Sequence, residues 1–317
     1  MAASDRTLML QKIEEFKKEV HKAVVGYDDI IDGLLIALVS GGHVLLEGVP
    51  GIAKTLLAKS FAQALSLKFS RVQFTPDLVP SDITGTSVFD QKRGEFRFKE
   101  GPVFTNVLLA DEINRSPPKV QSALLECMQE KYVTADGKSY PLPDPFFVIA
   151  TQNPIEMEGV YPLPEAQVDR FMFKLVMKYP SREEEKIMLS SYVSTDIPAV
   201  NPVLDVKQLQ TIREEVRKIT MESKVFDYIL DIVEATRKDE RVMLGASPRA
   251  SLQMALASRV RALIKGRNYV SPSDVKSVAP NILRHRIILK PEAELDGLKT
   301  DILISELLEK VPVPKLV

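Results

Sequence analysis

The sequence predicts an α/β fold, with a parallel sheet in its first part and helices alone in its second. Three observations predict it. Residues 44–47 form a short apolar run that passes through glycines and a proline into a helical pattern. Further short apolar runs alternate with helical patterns up to residue 176. From residue 181 onward only helical spacing remains, so we expect an α/β core in residues 1–180 and an all-α domain in residues 181–317.

The composition is that of an ordinary globular protein. The 317 residues are 45% hydrophobic and 27% charged, which is enough for two domains with a large core. The formal net charge of −1 gives no support to a nucleic-acid partner. The single cysteine, Cys127, excludes an intramolecular disulfide and is expected to pack in the core. Residues 1–20 are charged throughout, so we expect neither signal peptide nor membrane anchor, and a cytoplasmic location.

The chain begins with two predicted helices joined by a turn. Apolar residues recur at helical spacing over residues 6–22 and again over residues 30–39. Val25 and Gly26 interrupt the pattern between them. In an ATP-binding fold, a turn placed ahead of the first strand could contact adenine. It could equally be an ordinary turn between helices, and the residues alone leave both interpretations open.

The turn after the first strand has the residues of a phosphate-binding loop. Its glycines let backbone N–H groups approach phosphate oxygens, and the following helix presents its positive N-terminal end. Lys54 is placed to reach the β- and γ-phosphates, and the Thr55 hydroxyl can ligate Mg²⁺. Ala53 replaces the second glycine of the GxxxxGK[ST] pattern, and its small side chain still permits close backbone approach. The candidate nucleotide-binding residues here are Gly48, Val49, Pro50, Gly51, Ile52, Ala53, Lys54, Thr55 and Leu56.

Two hairpins are predicted as additions to the sheet. After a strand over residues 69–74 and a short helix, residues 86–99 read as a hairpin that displays three phenylalanines. Such a hairpin either contacts a substrate or only packs as a flap, and both interpretations stay open. A helix ending at residue 130 then leads into a second hairpin over residues 131–142, which turns at Asp-Gly.

Polar side chains follow two further predicted strands at the point where each strand ends. Asp111 and Glu112 close the apolar run 107–110, and Asn153 follows the run 146–150. Ligands of open α/β sheets collect at the carboxyl ends of the strands. Asp111 is therefore expected to hold Mg²⁺ and Glu112 to polarise an attacking water. Asn153 can orient that water against a γ-phosphate, although Asn before Pro is also a common turn.

Two arginines are candidates for contact with phosphate. Arg170 precedes the last predicted strand, over residues 171–176, and could be a simple surface charge or an arginine presented to a γ-phosphate in trans. Arg249 lies in the first turn of a predicted helix over residues 248–264, where the helix dipole favours acids instead. It is either solvated at a small cost or placed there for an anionic phosphate.

Together these motifs, in this order, resemble the MoxR family of AAA+ ATPases. The segments that carry the resemblance are GVPGIAKT (48–55), LLADEINRSPPKVQSALLECMQE (108–130), IATQNP (149–154), LPEAQVDRF (163–171), SPRA (247–250) and LRHRI (283–287). They span most of the chain. The resemblance implies an AAA+ P-loop sheet core with a helix-2 insert and a pre-sensor-1 hairpin, followed by an all-α lid.

The same resemblance assigns roles to the candidate residues. Residues 48–55 match Walker A, and Asp111 with Glu112 matches Walker B. Asn153 matches sensor 1, Arg170 the arginine finger that acts in trans, and Arg249 sensor 2. The turn at residues 25–26 matches the adenine side, and Arg115 is a further arginine that could point toward a neighbouring subunit.

The resemblance also implies cofactors and partners. ATP and Mg²⁺ would bind between subunits of a hexameric ring. Members of the family commonly work with von Willebrand factor A domain proteins and are thought to act as chaperones that activate client complexes or insert metal cofactors. Three alternatives remain: a DNA-translocating helicase of the MCM type, a nucleotide-gated scaffold with little turnover, and a kinase. A helicase would need a basic pore, and a scaffold would need defective catalytic motifs. For a kinase, the sequence indicates no pocket for a phosphate acceptor.

Overall fold

The fold is built on a five-stranded parallel sheet. A computed structural model describes residues 3–153, 159–192 and 198–315 of the chain. Its strands are β1 (Val44–Glu47), β2 (Phe69–Gln73), β3 (Gly85–Asp90), β4 (Glu95–Glu100), β5 (Val107–Asp111), β6 (Tyr132–Ala135), β7 (Lys138–Pro141), β8 (Phe147–Gln152), β9 (Phe173–Val176), β10 (Val242–Leu244) and β11 (Ile288–Leu289). The parallel sheet has the order β2-β5-β8-β1-β9, and all five of its strands lie within or beside runs that the sequence predicts.

Helices cover the sheet and make up most of the C-terminal part. They are α1 (Ala3–His21), α2 (Asp28–Ser40), α3 (Lys54–Ala64), α4 (Pro80–Thr84), α5 (Pro118–Glu130), α6 (Glu165–Val168), α7 (Arg182–Tyr192), α8 (Val206–Arg217), α9 (Ser223–Lys238), α10 (Pro248–Ile264), α11 (Pro272–Leu283), α12 (Pro291–Leu295) and α13 (Thr300–Lys310). Within the described ranges, none of them is both long and apolar enough to cross a membrane.

The order of the strands decides where polar residues meet. Strand β8 pairs with β5 on one side and with β1 on the other, so the carboxyl ends of these three strands lie next to one another. Every residue of β5 is buried, which explains its uninterrupted apolar sequence before Asp111. The phosphate-binding loop leaves β1 at this same edge, beside the ends of β5 and β8.

Apolar side chains fill both faces of the sheet. One cluster contains Phe16 of α1, Phe61 of α3 and Phe147 of β8, and it continues without interruption into the C-terminal helices. The Phe16 and Phe61 rings meet edge to face with centroids 5.5 Å apart. The cluster on the other face contains buried Cys127 of α5, as expected, together with Phe74 and Phe171. The strands are therefore packed from both sides, and the polar residues lie at the ends of well-buried strands.

The two predicted hairpins are confirmed and pack against each other. They are the pairs β3–β4 and β6–β7. Phe98 of β4 stacks on Tyr140 of β7 with ring centroids 4.1 Å apart. The Ser87 hydroxyl donates to the Asp136 carboxylate across the same gap. Phe89 and Phe96, in contrast, are 53% and 73% exposed and touch only edge to face, so one end of the first hairpin packs as a flap while its aromatic pair faces solvent.

The C-terminal part is a helical lid with one small sheet in it. The expectation of helices alone is wrong in this detail, because β10 pairs with β11 as an antiparallel ladder. These strands have three and two residues and lie more than 40 residues apart in the chain, too short for a periodic signal. Helices α12 and α13 were not predicted either.

Candidate active site

The loop between β1 and α3 is shaped as a cradle. Gly51 has a positive φ of 84°, and a Cβ built there would have no atom within 4 Å, so its backbone faces open space. At Gly48 a Cβ would lie 2.5 Å from Ile52 Cδ1 and 3.1 Å from the Met177 carbonyl oxygen, so a larger residue would require Ile52 to move. The loop therefore keeps its backbone accessible at one glycine and packed at the other.

Ala53 takes the backbone conformation that a glycine would take. Its φ of 63° and ψ of 26° lie in the left-handed region, where it precedes the first residue of α3. An L-residue other than glycine pays about 1–2 kcal/mol for this conformation. The departure from the usual motif therefore leaves the path of the loop intact and stores a small strain in it.

Lys54 is folded into the loop. Its Nζ donates to the carbonyl oxygens of Gly48 at 2.6 Å and Val49 at 3.3 Å. Thr55 follows in the first turn of α3, at the positive end of the helix. The cradle thus collects positive charge and N–H donors, the groups that bind phosphate oxygens.

An apolar cavity of about 500 Å³ adjoins the loop. On one side it is lined by residues of the turn between α1 and α2 and by residues of the phosphate-binding loop, and on the other by α7 and the segment before it. The lining residues are Ala23, Val24, Val25, Tyr27, Pro50, Gly51, Ile52, Ala53, Leu56, Tyr179, Pro180, Glu185, Met188 and Leu189. Gly26 is close-packed here, since a Cβ on it would collide with the Glu184 carboxylate. The cavity has the apolar character that suits a flat base, and six of the predicted nucleotide-binding residues line it: Val25, Pro50, Gly51, Ile52, Ala53 and Leu56.

Asp111 is buried at the end of β5 and is fully engaged. Its Oδ1 accepts a hydrogen bond of 2.6 Å from the Thr151 hydroxyl of β8. Its Oδ2 accepts two from Arg71 of β2, from Nε at 3.1 Å and from Nη2 at 2.8 Å. Both arginine donors meet the same oxygen, and Thr151 holds the other oxygen, so the carboxylate is held at both of its oxygens.

Glu112 is positioned by its backbone and by neighbours on both sides. It has a left-handed conformation with φ of 57°, and its N–H donates to the Thr151 hydroxyl at 2.8 Å. Its Oε2 accepts from Gln73 Nε2 of β2 at 2.7 Å and lies 3.2 Å from Arg115 Nε. Thr151 thus links the two acids, and Gln73 holds the second.

Sequence reasoning missed Arg71, Gln73 and Thr151. Arg71 and Gln73 lie on a strand that it predicted and point the same way, because side chains alternate along a strand. Thr151 directly follows the predicted run 146–150 and belongs to β8 in the structure. What it lacked was the register of β2 on β5, which sets Gln73 opposite Asp111. The arginine and the glutamine at alternate positions of β2 are the signal that could have found two of the three residues.

Asn153 lies at the same carboxyl end of the sheet as the two acids. It follows β8 and is only 5% exposed, between the loop that leaves β1 and the acids that end β5. The structure therefore brings the phosphate-binding loop, Asp111, Glu112 and Asn153 together, as the sequence predicts. Pro154, the last residue of the predicted segment 149–154, lies outside the described residues.

The two candidate arginines lie elsewhere. Arg170 precedes β9, which runs parallel to β1, so it lies at the amino end of the sheet, opposite the phosphate-binding loop. Two residues after Arg170, the Met172 N–H donates to the carbonyl oxygen of His43, which directly precedes β1, in agreement with a location at the amino end of the sheet. Arg249 joins Arg170 there, because its Nη1 donates to Asp169 Oδ2 at 3.0 Å. Neither arginine is positioned by these contacts beside its own subunit's loop.

The donor set fits a nucleotide with a magnesium ion. Among the described residues no group of three acidic, histidine or cysteine side chains could hold a metal alone. Mg²⁺ in nucleotide sites is typically held by one or two protein oxygens and by the phosphates themselves. Thr55 and Asp111 supply oxygens of this kind, and the cavity supplies a place for the base.

The comparisons with known proteins agree with this geometry. A family model described as "ATPase family associated with various cellular activities (AAA)" matches residues 43–173, and one described as "AAA lid domain" matches residues 234–307. The chain is 48% identical to Chaperone MoxR1 of Mycobacterium tuberculosis, over 94% of this chain and 81% of that protein. The chain belongs to the MoxR family of AAA ATPases.

Two further comparisons extend over almost the full length. Protein MoxR of Methylorubrum extorquens is 32% identical over 94% of each chain. The crystal structure of a Cytophaga hutchinsonii protein, 46% identical, has a TM-score of 0.92 and covers 99% of this chain and 98% of its own. The MoxR-family chain is accordingly an ATP-binding ATP hydrolase with an α/β AAA core and a C-terminal helical lid.

Proposed function

We propose that this ATPase couples Mg²⁺-dependent ATP hydrolysis to the remodelling, activation or metal-cofactor maturation of partner protein complexes. The name of the relative Chaperone MoxR1 supports work on other proteins. The observation that carries the mechanism is the distribution of the catalytic groups. The loop and the acids meet at one end of the sheet, while Arg170 and Arg249 lie together at the other.

Within one subunit, the chain's own residues bind the nucleotide and direct a water. Lys54 and the N–H groups of the loop would hold the phosphates, and the cavity beside Val25 and Tyr27 would hold the base. Thr55 and Asp111 would hold Mg²⁺, which when bound draws negative charge from the phosphate oxygens. Glu112 would accept the proton of the attacking water, and Asn153 would orient that water.

Between subunits, arginines would complete the site. A group at the amino end of one sheet can reach a γ-phosphate only if the next copy presents its loop there, as in a closed ring. We propose a hexameric ring in which Arg170, and Arg249 with it, act on the neighbour's nucleotide. Arg115, paired with Glu112, lies at the carboxyl end of the sheet and would point toward the neighbouring subunit.

The two domains of each subunit would have different roles in the ring. Residues 1–180 would bind the nucleotide and residues 181–317 would move as the lid when it is hydrolysed. We propose a cytoplasmic ring with a von Willebrand factor A domain protein as its partner and a protein complex as its client. The exposed Phe89 and Phe96 supply an apolar contact for such a client.

One variant tests the catalytic assignment. Glu112→Gln keeps the hydrogen bond from Gln73 possible but removes the base, so ATP binding should persist while turnover falls by about 10²-fold or more. Nucleotide affinity and phosphate release are measured on the same preparation. Unchanged turnover would refute the role of Glu112.

A mixing experiment tests action in trans. Arg170→Ala and Lys54→Ala should each abolish most turnover. Mixed rings should recover part of it, because a sound loop from one variant then meets a sound arginine from the other. No recovery in rings shown to be mixed would contradict the interface assignment.

A further inference from the structure

The short segment before β9, which carries Arg170, is enclosed by one side chain of the lid. Arg286, at the end of the lid's α11 region, is 5% exposed. Its Nη2 donates to the Asp169 carbonyl oxygen at 2.9 Å and to the Phe171 carbonyl oxygen at 2.7 Å. These carbonyls belong to the residues on either side of Arg170. A single guanidinium therefore fixes the backbone around Arg170 from both sides.

Arg286 is itself held firmly. Its Nε donates to Asp169 Oδ1 at 2.7 Å, and its Nη2 donates to Gln253 Oε1 of α10 at 2.6 Å. Its Nη1 donates to the Ile282 carbonyl oxygen of α11. A planar guanidinium with five N–H groups can contact acceptors on several sides at once, which a lysine cannot do, and the two N–H groups of Nη2 are shared among its three acceptors.

Charge supports the same arrangement. Burial lowers the pKa of Arg286 to about 10, and the Asp169 carboxylate opposes that shift, so the guanidinium stays charged at neutral pH. Asp169 also accepts from Arg249 Nη1 at 3.0 Å and from the Ser247 hydroxyl at 3.2 Å. Two residues from the start of α10 and one from beyond α11 thus converge on the residue before Arg170.

A second lid residue adds to the hold. His285 Nε2 lies 3.0 Å from the Phe171 carbonyl oxygen, the same atom that Arg286 contacts. Burial and the neighbouring arginine hold the pKa of His285 well below its usual range, so the ring is neutral and this nitrogen is the donor. The guanidinium of Arg170, by contrast, has no hydrogen-bond or ion-pair partner among the described residues. Its backbone is fixed while its charged end is unengaged.

We propose that Arg286 is a positioning residue, which through Asp169 and the flanking carbonyls aims Arg170 at the nucleotide of the neighbouring subunit. This inference rests on the proposed function, in which Arg170 acts in trans. It gives the lid a second role, because the lid of one subunit then sets the arginine that the next subunit uses. Arg286 is 5% exposed and its donors are engaged within its own subunit, so it would act only through Arg170.

The test replaces Arg286 by lysine. Arg286→Lys keeps the charge and can keep the pair with Asp169, but it cannot hold both carbonyls. Turnover should fall about tenfold, as expected for a misplaced catalytic group, while the affinity of the subunit's own site for ATP changes less than about twofold. Arg284→Lys is the matched control, because Arg284 also joins lid to core, donating to the Lys174 carbonyl oxygen at 3.1 Å and to Asp301 at 3.0 Å. It does not touch residues 169–171 and should keep most of the turnover.

Mixing decides between positioning and general damage to the lid. Rings of Arg286→Lys with Lys54→Ala should regain turnover to the same degree as rings of Arg170→Ala with Lys54→Ala, since only the arginine of the Arg286 variant is misplaced. If the Arg170 mixture recovers and the Arg286 mixture does not, the positioning role is overturned and action in trans stands. If neither recovers, the proposed function fails and this inference fails with it.

A second variant covers the case in which Arg286→Lys does not fold. Asp169→Asn keeps the shape and removes the charge that anchors Arg286. It should show the same loss of turnover, unchanged ATP affinity and recovery when mixed with Lys54→Ala. Full turnover in Asp169→Asn would overturn the link through Asp169.

Discussion

At the scale of single residues, His43 has a structural role that depends on its neutral form. It is buried just before β1, where its Nδ1 accepts from the Val148 N–H at 3.0 Å and its Nε2 contacts the Met128 carbonyl oxygen at 3.1 Å. Desolvation is the main cause that lowers its pKa to about 4, and only a neutral ring can accept at Nδ1. The folded pKa lies below the unfolded value of about 6.5. The stability that neutral His43 contributes is therefore present above pH 6.5 and is lost as pH falls toward 4.

This gives a prediction for the pH dependence of stability. Between pH 7 and pH 5 the free energy of unfolding should fall by about 2 kcal/mol through His43 alone. His43→Gln can still donate and accept but does not titrate, so its stability should fall by that much less over the same interval. Urea unfolding of both proteins at the two pH values measures the difference. Parallel loss in the two proteins would contradict the assignment.

Gln73 shows how a residue next to the chemistry controls it. Its amide donates to Glu112 Oε2 at 2.7 Å and so competes with a water for an oxygen that a general base presents to the water's proton. Gln73→Ala should therefore raise the turnover of the protein without its partner by about twofold to fivefold, with unchanged ATP affinity. Gln63→Ala, on the exposed face of α3, is the control. A fall in turnover would mean that Gln73 orients Glu112 for catalysis.

At the scale of elements, the two hairpins form one unit. The Phe98–Tyr140 stack and the Ser87–Asp136 hydrogen bond join β3–β4 to β6–β7. The chain runs from β7 into β8 and so to Asn153, which connects the hairpin unit to the carboxyl end of the sheet.

A double-mutant cycle tests this unit. Phe98→Ala and Tyr140→Ala should be coupled by about 1 kcal/mol in the free energy of unfolding, as is usual for stacked aromatic rings. The control pair is Phe89→Ala with Tyr140→Ala, because Phe89 packs edge to face on Phe96 instead. Its coupling should be near zero. Equal coupling in the two cycles would show that the hairpins do not meet through this stack.

At the scale of the whole molecule, sequence reasoning found most of the fold for a physical reason. Buried parallel strands are short apolar runs, and loops at their carboxyl ends carry ligands, so the phosphate-binding loop, Asp111, Glu112 and Asn153 could be placed together before any coordinates. The sequence did not reveal contacts that depend on the register of neighbouring strands or that join residues far apart in the chain. Gln73 on Glu112, β10 on β11 and Arg286 around Arg170 each join segments whose pairing no local pattern states.

The phosphate-binding loop and the two candidate arginines lie at opposite ends of the sheet, and this separation gives a prediction for the molecule as a whole. In dilute protein, where rings are absent, Mg·ADP should raise the melting temperature through the loop and cavity alone. At a hundredfold excess over Kd the gain is about 2.7 kcal/mol, or several degrees. Lys54→Ala should lose the shift. Arg170→Ala and Arg249→Ala should keep it in full, because both arginines lie at the amino end of the sheet. A reduced shift in Arg249→Ala would show that the lid arginine contacts its own subunit's nucleotide, contrary to the arrangement described.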